Sequence, residues 1–322
     1  MSYLLRRLGQ ALLVLLVAFT ATFFLLHFLP GDAVVARYGG PELGLSPAEL
    51  DEIRDSRGYD QPVLVQFWLV LTGFLTGDFG YSTQTGASVS AMLAAALPQT
   101  AALTLTGFGL AVVLAFAIAF VASFGPFPWL RQLVRTLPPL FVSIPVFWLA
   151  IVLIQVASFQ LGLVPVINPT PLQELILPSL ALSVPIAAPL AQILVRSIDE
   201  VRAQPFIAVV RAKGASDSWL LWRNVLGNAM LPALTIAGLL FGELIAGAVV
   251  TETIFGRSGI GRMTEQAVAN RDMPVLQAVV VLSAAAFVLI NLIVDMLYPV
   301  LDPRLRSRTA GRSAPSREAV RT

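Results

Sequence analysis

Six stretches of the chain are almost wholly apolar, and the polar residues collect between them. They cover about 9–29, 100–124, 136–159, 172–195, 230–251 and 274–297. About 20 apolar residues cross a bilayer as a helix, the form that satisfies every backbone polar group within its own segment. The pattern therefore predicts an all-α membrane protein with six transmembrane helices. The second stretch carries no charge at all. The fourth contains Pro178, Pro185 and Pro189. Proline frees backbone carbonyls and bends a helix, which is tolerated against neighbouring helices, so this span is expected inside a bundle. At the N-terminus Arg6 and Arg7 precede an apolar run over 11–26. A secretory core is about 7–15 residues long and ends in a small-residue cleavage site. Here the run is longer and leads into His27-Phe28-Leu29-Pro30-Gly31-Asp32, so it is expected to remain as the first span.

Composition agrees with that pattern. Hydrophobic residues make up 57% of the 322 and charged residues only 12%, where a soluble domain carries roughly 25% charged. The surplus apolar surface is expected to face lipid. Cysteine is absent, which excludes disulfides, thiol catalysis and cysteine metal sites, and His27 is the lone histidine. No basic run is interleaved with aromatics, so nucleic acid is not an expected partner. The net charge is only +2, and placement of the cations says more than their sum. Arg6, Arg7, Arg131, Arg135, Arg196, Arg202, Arg211, Lys213, Arg223, Arg304, Arg306, Arg308, Arg312, Arg317 and Arg321 fall on one side of a six-span topology. Only Arg37, Arg54, Arg57, Arg257, Arg262 and Arg271 fall on the other. Positive-inside bias then puts both termini in the cytoplasm.

On that topology residues 1–29 hold the first span, 30–97 form an external insert, 98–306 form the core and 307–322 a disordered cytoplasmic tail. The insert carries eight acids against three arginines and reads as a small cap with short helices. Ser46-Pro47-Ala48-Glu49 predicts a helix start, with Ser46 as N-cap and Glu49 closing a capping box. The insert is either a solvated acidic lid or a docking surface for an external partner. The tail's arginines suit an anionic inner leaflet.

The loop at 200–229 has too many start and stop signals to be a linker. Pro205 opens a helix over Phe206 to Lys213, which stops at Gly214. Ser216 then caps a second short helix carrying Trp219, Leu220, Trp222 and Val225 toward Pro232. The first limb is expected to expose Phe206, Val209, Val210, Arg211 and Lys213. Such a limb is either a peg for a socket in another protein or an amphipathic helix on lipid.

Ala212-Lys213-Gly214, followed by Asn228 and Pro232, resembles the cytoplasmic "EAA" loop of binding-protein-dependent ABC permeases. The version is that of the dipeptide, oligopeptide and nickel permeases. Further fragments follow in the same order: Leu29-Pro30-Gly31-Asp32, Asp60-Gln61-Pro62, Gly77-Asp78-Phe79-Gly80-Tyr81-Ser82 and Leu97-Pro98-Gln99-Thr100. Then come Glu252-Thr253-Ile254-Phe255, Gly259-Ile260-Gly261, Arg271-Asp272-Met273-Pro274, and Asn291, Asp295, Tyr298 and Asp302-Pro303-Arg304. Three departures are Asn224 where a histidine is frequent, Arg257-Ser258 in place of a proline, and Gly58-Tyr59-Asp60 in place of Gly-Leu-Asp. The resemblance covers about residues 1–306 and implies the type I importer permease fold in a bacterial inner membrane. It implies a second similar permease, two cytoplasmic ATPases (or one fused), and an external solute-binding protein. ATP and Mg would sit on the ATPases, and this chain would bind no cofactor. Phe206, Val209, Val210, Arg211, Ala212, Lys213 and Gly214 would form the ATPase-coupling helix. No G-x-x-x-x-G-K-[ST] phosphate loop occurs in the sequence, so the chain is not expected to be catalytic itself.

Polar residues within spans are costly and face an interior or water. Glu243 is a candidate for the translocation pathway, meeting a peptide amine or a cation, or else a helix–helix hydrogen-bonding group. Gln155 and Gln192 are further pathway candidates. Asn291 and Asp295, four apart on one face, read as structural or gating residues, as does Glu252. His27 reads as an interfacial residue. The expected function is an importer permease for di- or oligopeptides, with nickel chelate or glutathione as alternative cargo. A secondary transporter would show repeated halves, and none is evident. An intramembrane enzyme would have little beyond a Glu243–Asp295 pair to work with.

Overall fold

The computed structural model describes residues 2–28, 46–49 and 61–301. Among them every regular element is helical, apart from one antiparallel bridge between Tyr81 and Ser88. The helices are α1 (Ser2–His27), α2 (Val63–Thr76), α3 (Val89–Phe124), α4 (Pro128–Val142), α5 (Val146–Leu153) and α6 (Gln173–Arg202). There follow α7 (Pro205–Ala212), α8 (Asp217–Leu220), α9 (Leu226–Phe255), α10 (Ile260–Ala269) and α11 (Met273–Leu301). Five segments within them are long and apolar enough to span a membrane.

Three expectations about the elements change. The second span starts not near 100 but at Val89, with Pro98 inside the helix, so the boundary expected at 97/98 falls within α3. Proline at that depth is tolerated because neighbouring groups re-satisfy the freed carbonyls. The third span is not one straight helix. It breaks at 143–145, before Pro145, into α4 and α5, and α5 runs on into a π-helical segment over Ile154–Gln160. Proline disfavours helical geometry in the residue before it, which places the break. The insert is not polar throughout: α2 is apolar on all sides and has no fully buried residue. The predicted capping box is present. The Ser46 N–H and hydroxyl both donate to Glu49 Oε2, at 2.7 and 2.8 Å. These bonds hold the exposed Glu49 carboxyl below its usual range, the Ser46 backbone bond most of all. The rest of the insert (29–45, 50–60) and 302–322 lie outside the described residues, and with them Arg37, Arg54, Arg57, Tyr298's continuation at Asp302-Pro303-Arg304, and the tail.

The chain divides into two units. The first comprises residues 1–111, 143–186 and 242–288. Its aromatic seam joins α1 to α2: Phe19 meets Phe67 and Phe74 edge-on, with centroids 5.6 and 5.1 Å apart. A second cluster packs Val89, Leu93 and Ala96 with Ile260, Met263, Val275 and Val279. Leu182 of α6 is 1% exposed. A Cβ placed on Gly107 of α3 would lie 3.1 Å from it, and one on Gly247 of α9 2.8 Å. Small residues on both neighbours thus admit one large side chain between three helices. Thr106 and Ser179 add a hydroxyl pair at 2.8 Å.

The second unit comprises residues 112–142, 187–241 and 289–322. Among its described residues it buries many alanines, Ala115, Ala119, Ala122, Ala187, Ala188 and Ala191 among them, beside larger side chains such as Leu194 and Ile198. Short side chains let backbones approach closely. Gly238 faces Val294, 3.2 Å from a Cβ placed there. Arg135 closes a bidentate pair with Asp199 at 2.8 and 3.1 Å.

Asp272 ties distant parts of the first unit together. It is 3% exposed, accepts from the Ser82 hydroxyl, and accepts from the Thr83 N–H at 3.1 Å. Asp272→Ala leaves those buried donors unpaired, at a cost of about 2–3 kcal/mol. The expected result is a lower unfolding temperature in detergent, read by thermal-shift fluorescence, whereas Gln84→Ala at the exposed rim should change it little.

Candidate functional site

The 200–229 loop forms a rigid corner in the second unit. Gln204 is extended (φ −69°, ψ 142°) and Pro205 takes the first helical position of α7. The helix ends in a Schellman arrangement. The Gly214 N–H donates to Arg211 O at 3.0 Å and the Ala215 N–H to Val210 O at 3.4 Å. Gly214 has φ +85°, a conformation that side chains resist. The Ser216 hydroxyl accepts from the Trp219 N–H at 3.2 Å and starts the second limb.

That second limb is not a separate short helix. From Asp217–Leu220 it passes through a π-helical turn over Leu221–Val225 straight into α9. Leu220 and Val225 are both buried, at 1% and 0%. Five residues apart, they would diverge on an α-helix, and the wider turn brings both inward. In the first limb Ile207 is buried and anchors α7. Phe206 is 41% and Val209 55% exposed. Arg211, Ala212, Lys213 and Gly214 are also exposed, whereas Val210 is half-buried.

The pathway candidates are spread out. Glu243 is exposed on α9, Gln155 on the π-helical segment after α5, and Gln192 on α6. None of the three has a hydrogen-bond or ion-pair partner among the described residues, and a Cβ placed on Gly242, beside Glu243, would lie 3.3 Å from the Phe287 ring. Asn291 and Asp295 are half-buried on α11 in the second unit, where Asn291 Oδ1 lies 3.5 Å from a Cβ placed on Gly238. His27 stacks on Phe23 at 5.9 Å.

Glu252 is the most constrained carboxylate in the first unit, with no exposed surface. Its Oε1 accepts from the Thr100 hydroxyl at 2.6 Å, and its Oε2 from the Gly261 N–H at 2.7 Å. Thr100 Oγ1 in turn accepts from the Ile260 N–H at 2.8 Å. The carboxylate thus occupies the N-terminus of α10, where unpaired N–H groups and the helix dipole favour an anion. The two glycines of Gly259-Ile260-Gly261 make room. A Cβ on Gly259 would lie 2.2 Å from Glu252 Oε1, and one on Gly261 2.5 Å from Val249 Cα. Thr100 and Glu252 are 152 residues apart, and nothing in their sequence spacing pairs them.

Sequence reasoning missed a second feature beside this knot. Arg257 is 7% exposed and lines a cavity of about 330 Å³ with Gln99, Glu174, Pro165, Pro178 and Ser258. Its Nη1 donates to Glu174 O at 3.0 Å and its Nη2 to Gln99 Oε1 at 2.8 Å. Glu174 Oε2 stands 3.4 Å away, so the buried cation has a counter-charge. The only available signal was the departure at Arg257-Ser258 itself. No group of three His, Cys, Asp or Glu side chains suited to a metal occurs among the described residues.

An all-helical, multi-pass chain with an exposed locked corner and a lone carboxylate on the face of a span has the build of a membrane permease component. Residues 115–307 match the family described as "Binding-protein-dependent transport system inner membrane component", and residues 1–104 match its N-terminal companion. The chain belongs to this family, and it is a permease subunit of an ABC importer. It is 37% identical over 306 residues to the glutathione transport system permease protein GsiC of Salmonella typhimurium, covering 95% of this chain and 99% of that one. It is 35% identical to GsiC of Escherichia coli over the same shares. The fold is similar to that of the MetNI methionine ABC transporter in inward-facing conformations, with TM-score 0.54 and 18% identity, covering 66% of this chain and 96% of that one. An amino acid ABC transporter crystallised with histidines gives TM-score 0.52 at 15% identity, covering 65% and 93%.

Gly261→Ala drives a methyl group into the Val249 backbone, and Glu252→Gln removes the charge from two short hydrogen bonds at about 1.5–3 kcal/mol. Both variants are expected to unfold at lower temperature in detergent, with Gly261→Ala the worse because backbone cannot yield as a side chain can.

Proposed function

We propose that this chain forms half of the translocation pathway of an importer for short peptides, glutathione-sized peptides included. It acts with a second permease, two cytoplasmic ATPases that carry ATP and Mg, and an external solute-binding protein. Both termini face the cytoplasm. The observation that carries the reading is the locked corner over 205–216, exposed at Phe206, Val209, Arg211 and Lys213 and continuous with two long apolar helices.

The physical task is to convert nucleotide-driven closure of the ATPases into a change in which side the pathway opens to. ATP binding biases one state only through contacts that differ between states. A corner with a Schellman end and a proline start has few internal freedoms. Displacement of α7 is therefore passed to α6 through 203–204 and to α9 through the π-helical turn. Glu243 supplies the polar point of the pathway. An ionisable group on a lipid-facing surface is costly, so its exposed face on this chain is expected to be covered by the partner permease or by water. There it attracts the ammonium end of a peptide. Relatives named for glutathione transport favour a peptide over a chelated metal, and no described cluster suits a bare cation.

The test is uptake of labelled glutathione, a dipeptide and a nickel chelate into vesicles holding the whole importer. Peptide uptake without chelate uptake is expected, and the reverse would sink the substrate class. Lys213→Glu and Phe206→Ala, neither of which disturbs the backbone, should each lower uptake about tenfold, the equivalent of 1.4 kcal/mol in coupling. Co-purification of the ATPases, measured alongside, should fall with them. Gly214→Pro, barred by its positive φ, should abolish both. Normal uptake by all three variants would remove the coupling role. Glu243→Gln is expected to raise the half-saturating peptide concentration while leaving assembly intact.

A further inference from the structure

A cleft of about 240 Å³ in the second unit collects Arg131, Arg135 and Arg202 around Ser123. Asp199 neutralises Arg135 through the bidentate pair, which leaves an excess of two positive charges. Two of the guanidinium groups are held in place by the end of α3. Arg202 Nη1 donates to Ser123 O at 2.8 Å and Arg135 Nε to Ala122 O at 3.2 Å. Arg202 also lies 4.9 Å over the Phe124 ring. Arg131 has no side-chain hydrogen bond or ion pair among the described residues. The Ser123 hydroxyl is buried, 2% exposed, and has no hydrogen-bond partner. Fixed arginines, a free one and an unpaired hydroxyl form a donor set for an oxyanion, and the guanidinium fork suits phosphate above all.

The surroundings say where that phosphate comes from. On α4, Trp129, Leu133 and Leu140 are exposed on one stripe, while Arg131 and Arg135 share the face of buried Pro138. Phe127 and Trp129 are both exposed and stacked, with centroids 6.2 Å apart. Aromatic rings beside arginines on an amphipathic helix mark the depth at which lipid headgroups lie. Basic pockets between membrane helices on the cytoplasmic side take anionic headgroups. We propose that Arg131, Arg202 and Ser123 bind the phosphate of an anionic phospholipid, whose acyl chains lie along the stacked Phe127 and Trp129 rings that bracket Pro128 of the cleft. The choice of leaflet rests on the orientation proposed above; the binding does not, so a reversed orientation would leave the site standing.

The test is native mass spectrometry of the purified whole importer in micelles containing phosphatidylglycerol and phosphatidylcholine. Wild type is expected to retain phosphatidylglycerol selectively. Arg131→Gln, which removes no side-chain hydrogen bond or ion pair among the described residues, should lower that retention about fivefold, and Arg131→Lys should recover most of it. Trp129→Ala should weaken retention of both lipids and keep the preference for the anionic one. Excess inorganic phosphate is not expected to displace the lipid, because it lacks the acyl contacts. Displacement by phosphate would overturn the lipid assignment. Equal phosphatidylglycerol retention by wild type, Arg131→Gln and the Arg131→Gln/Arg202→Gln double variant would overturn the site.

Discussion

Close approach of three helices around Leu182 is the constraint on which the first unit depends. Lipid gives no hydrophobic drive for helix association, so contact has to come from fit and from interhelical hydrogen bonds. Gly107 and Gly247 supply the fit by removing a Cβ on either side of one leucine. Thr106 and Ser179 supply a hydroxyl pair across the α3–α6 contact. Replacing either glycine forces Leu182 to shift, and Leu182 is fully enclosed. The second unit meets the same demand with alanine faces and with Gly238 against Val294.

Polar groups then act as clips at the ends of spans. Glu252 on Thr100, Asp272 on the 82–83 turn and Arg257 on Gln99 and Glu174 each join segments far apart in sequence. Each would be a liability if unpaired in an apolar setting; the two carboxylates are paired, and Arg257 is paired through Nη1 and Nη2 while its buried Nε is left over. The exposed Glu243 stands apart from them, which is why it, and not a clip, is the residue proposed for the pathway. A group needed for structure is enclosed by its partners, while a group needed for cargo has to remain reachable.

The family membership and the geometry address different questions. Identity of 37% across nearly the full length establishes what kind of subunit this is. Fold similarity at 18% identity speaks only to architecture. The geometry speaks to local features of this chain: a buried arginine at 257 and a three-arginine cleft at the end of α3. Both are built from residues that serve the fold through some of their bonds and leave other donors over.

The sequence alone determined the helical class, the approximate spans and the start and stop of α7, because these rest on signals only a few residues apart. Apolar runs, Pro205 at a helix start, Gly214 at its end and the Ser46–Glu49 box are local chemistry, and each is present in the structure. Tertiary structure decided the rest. The early start of α3, the break at 143–145 and the fusion of the second limb into α9 depend on which residues are enclosed, and apolarity looks alike in a core and in lipid. The pairing of Glu252 with Thr100, and of Arg257 with Gln99, spans more than 150 residues, so no spacing rule reaches it. Only when the helices pack do those side chains come within hydrogen-bonding distance, and that packing is a property of the whole chain.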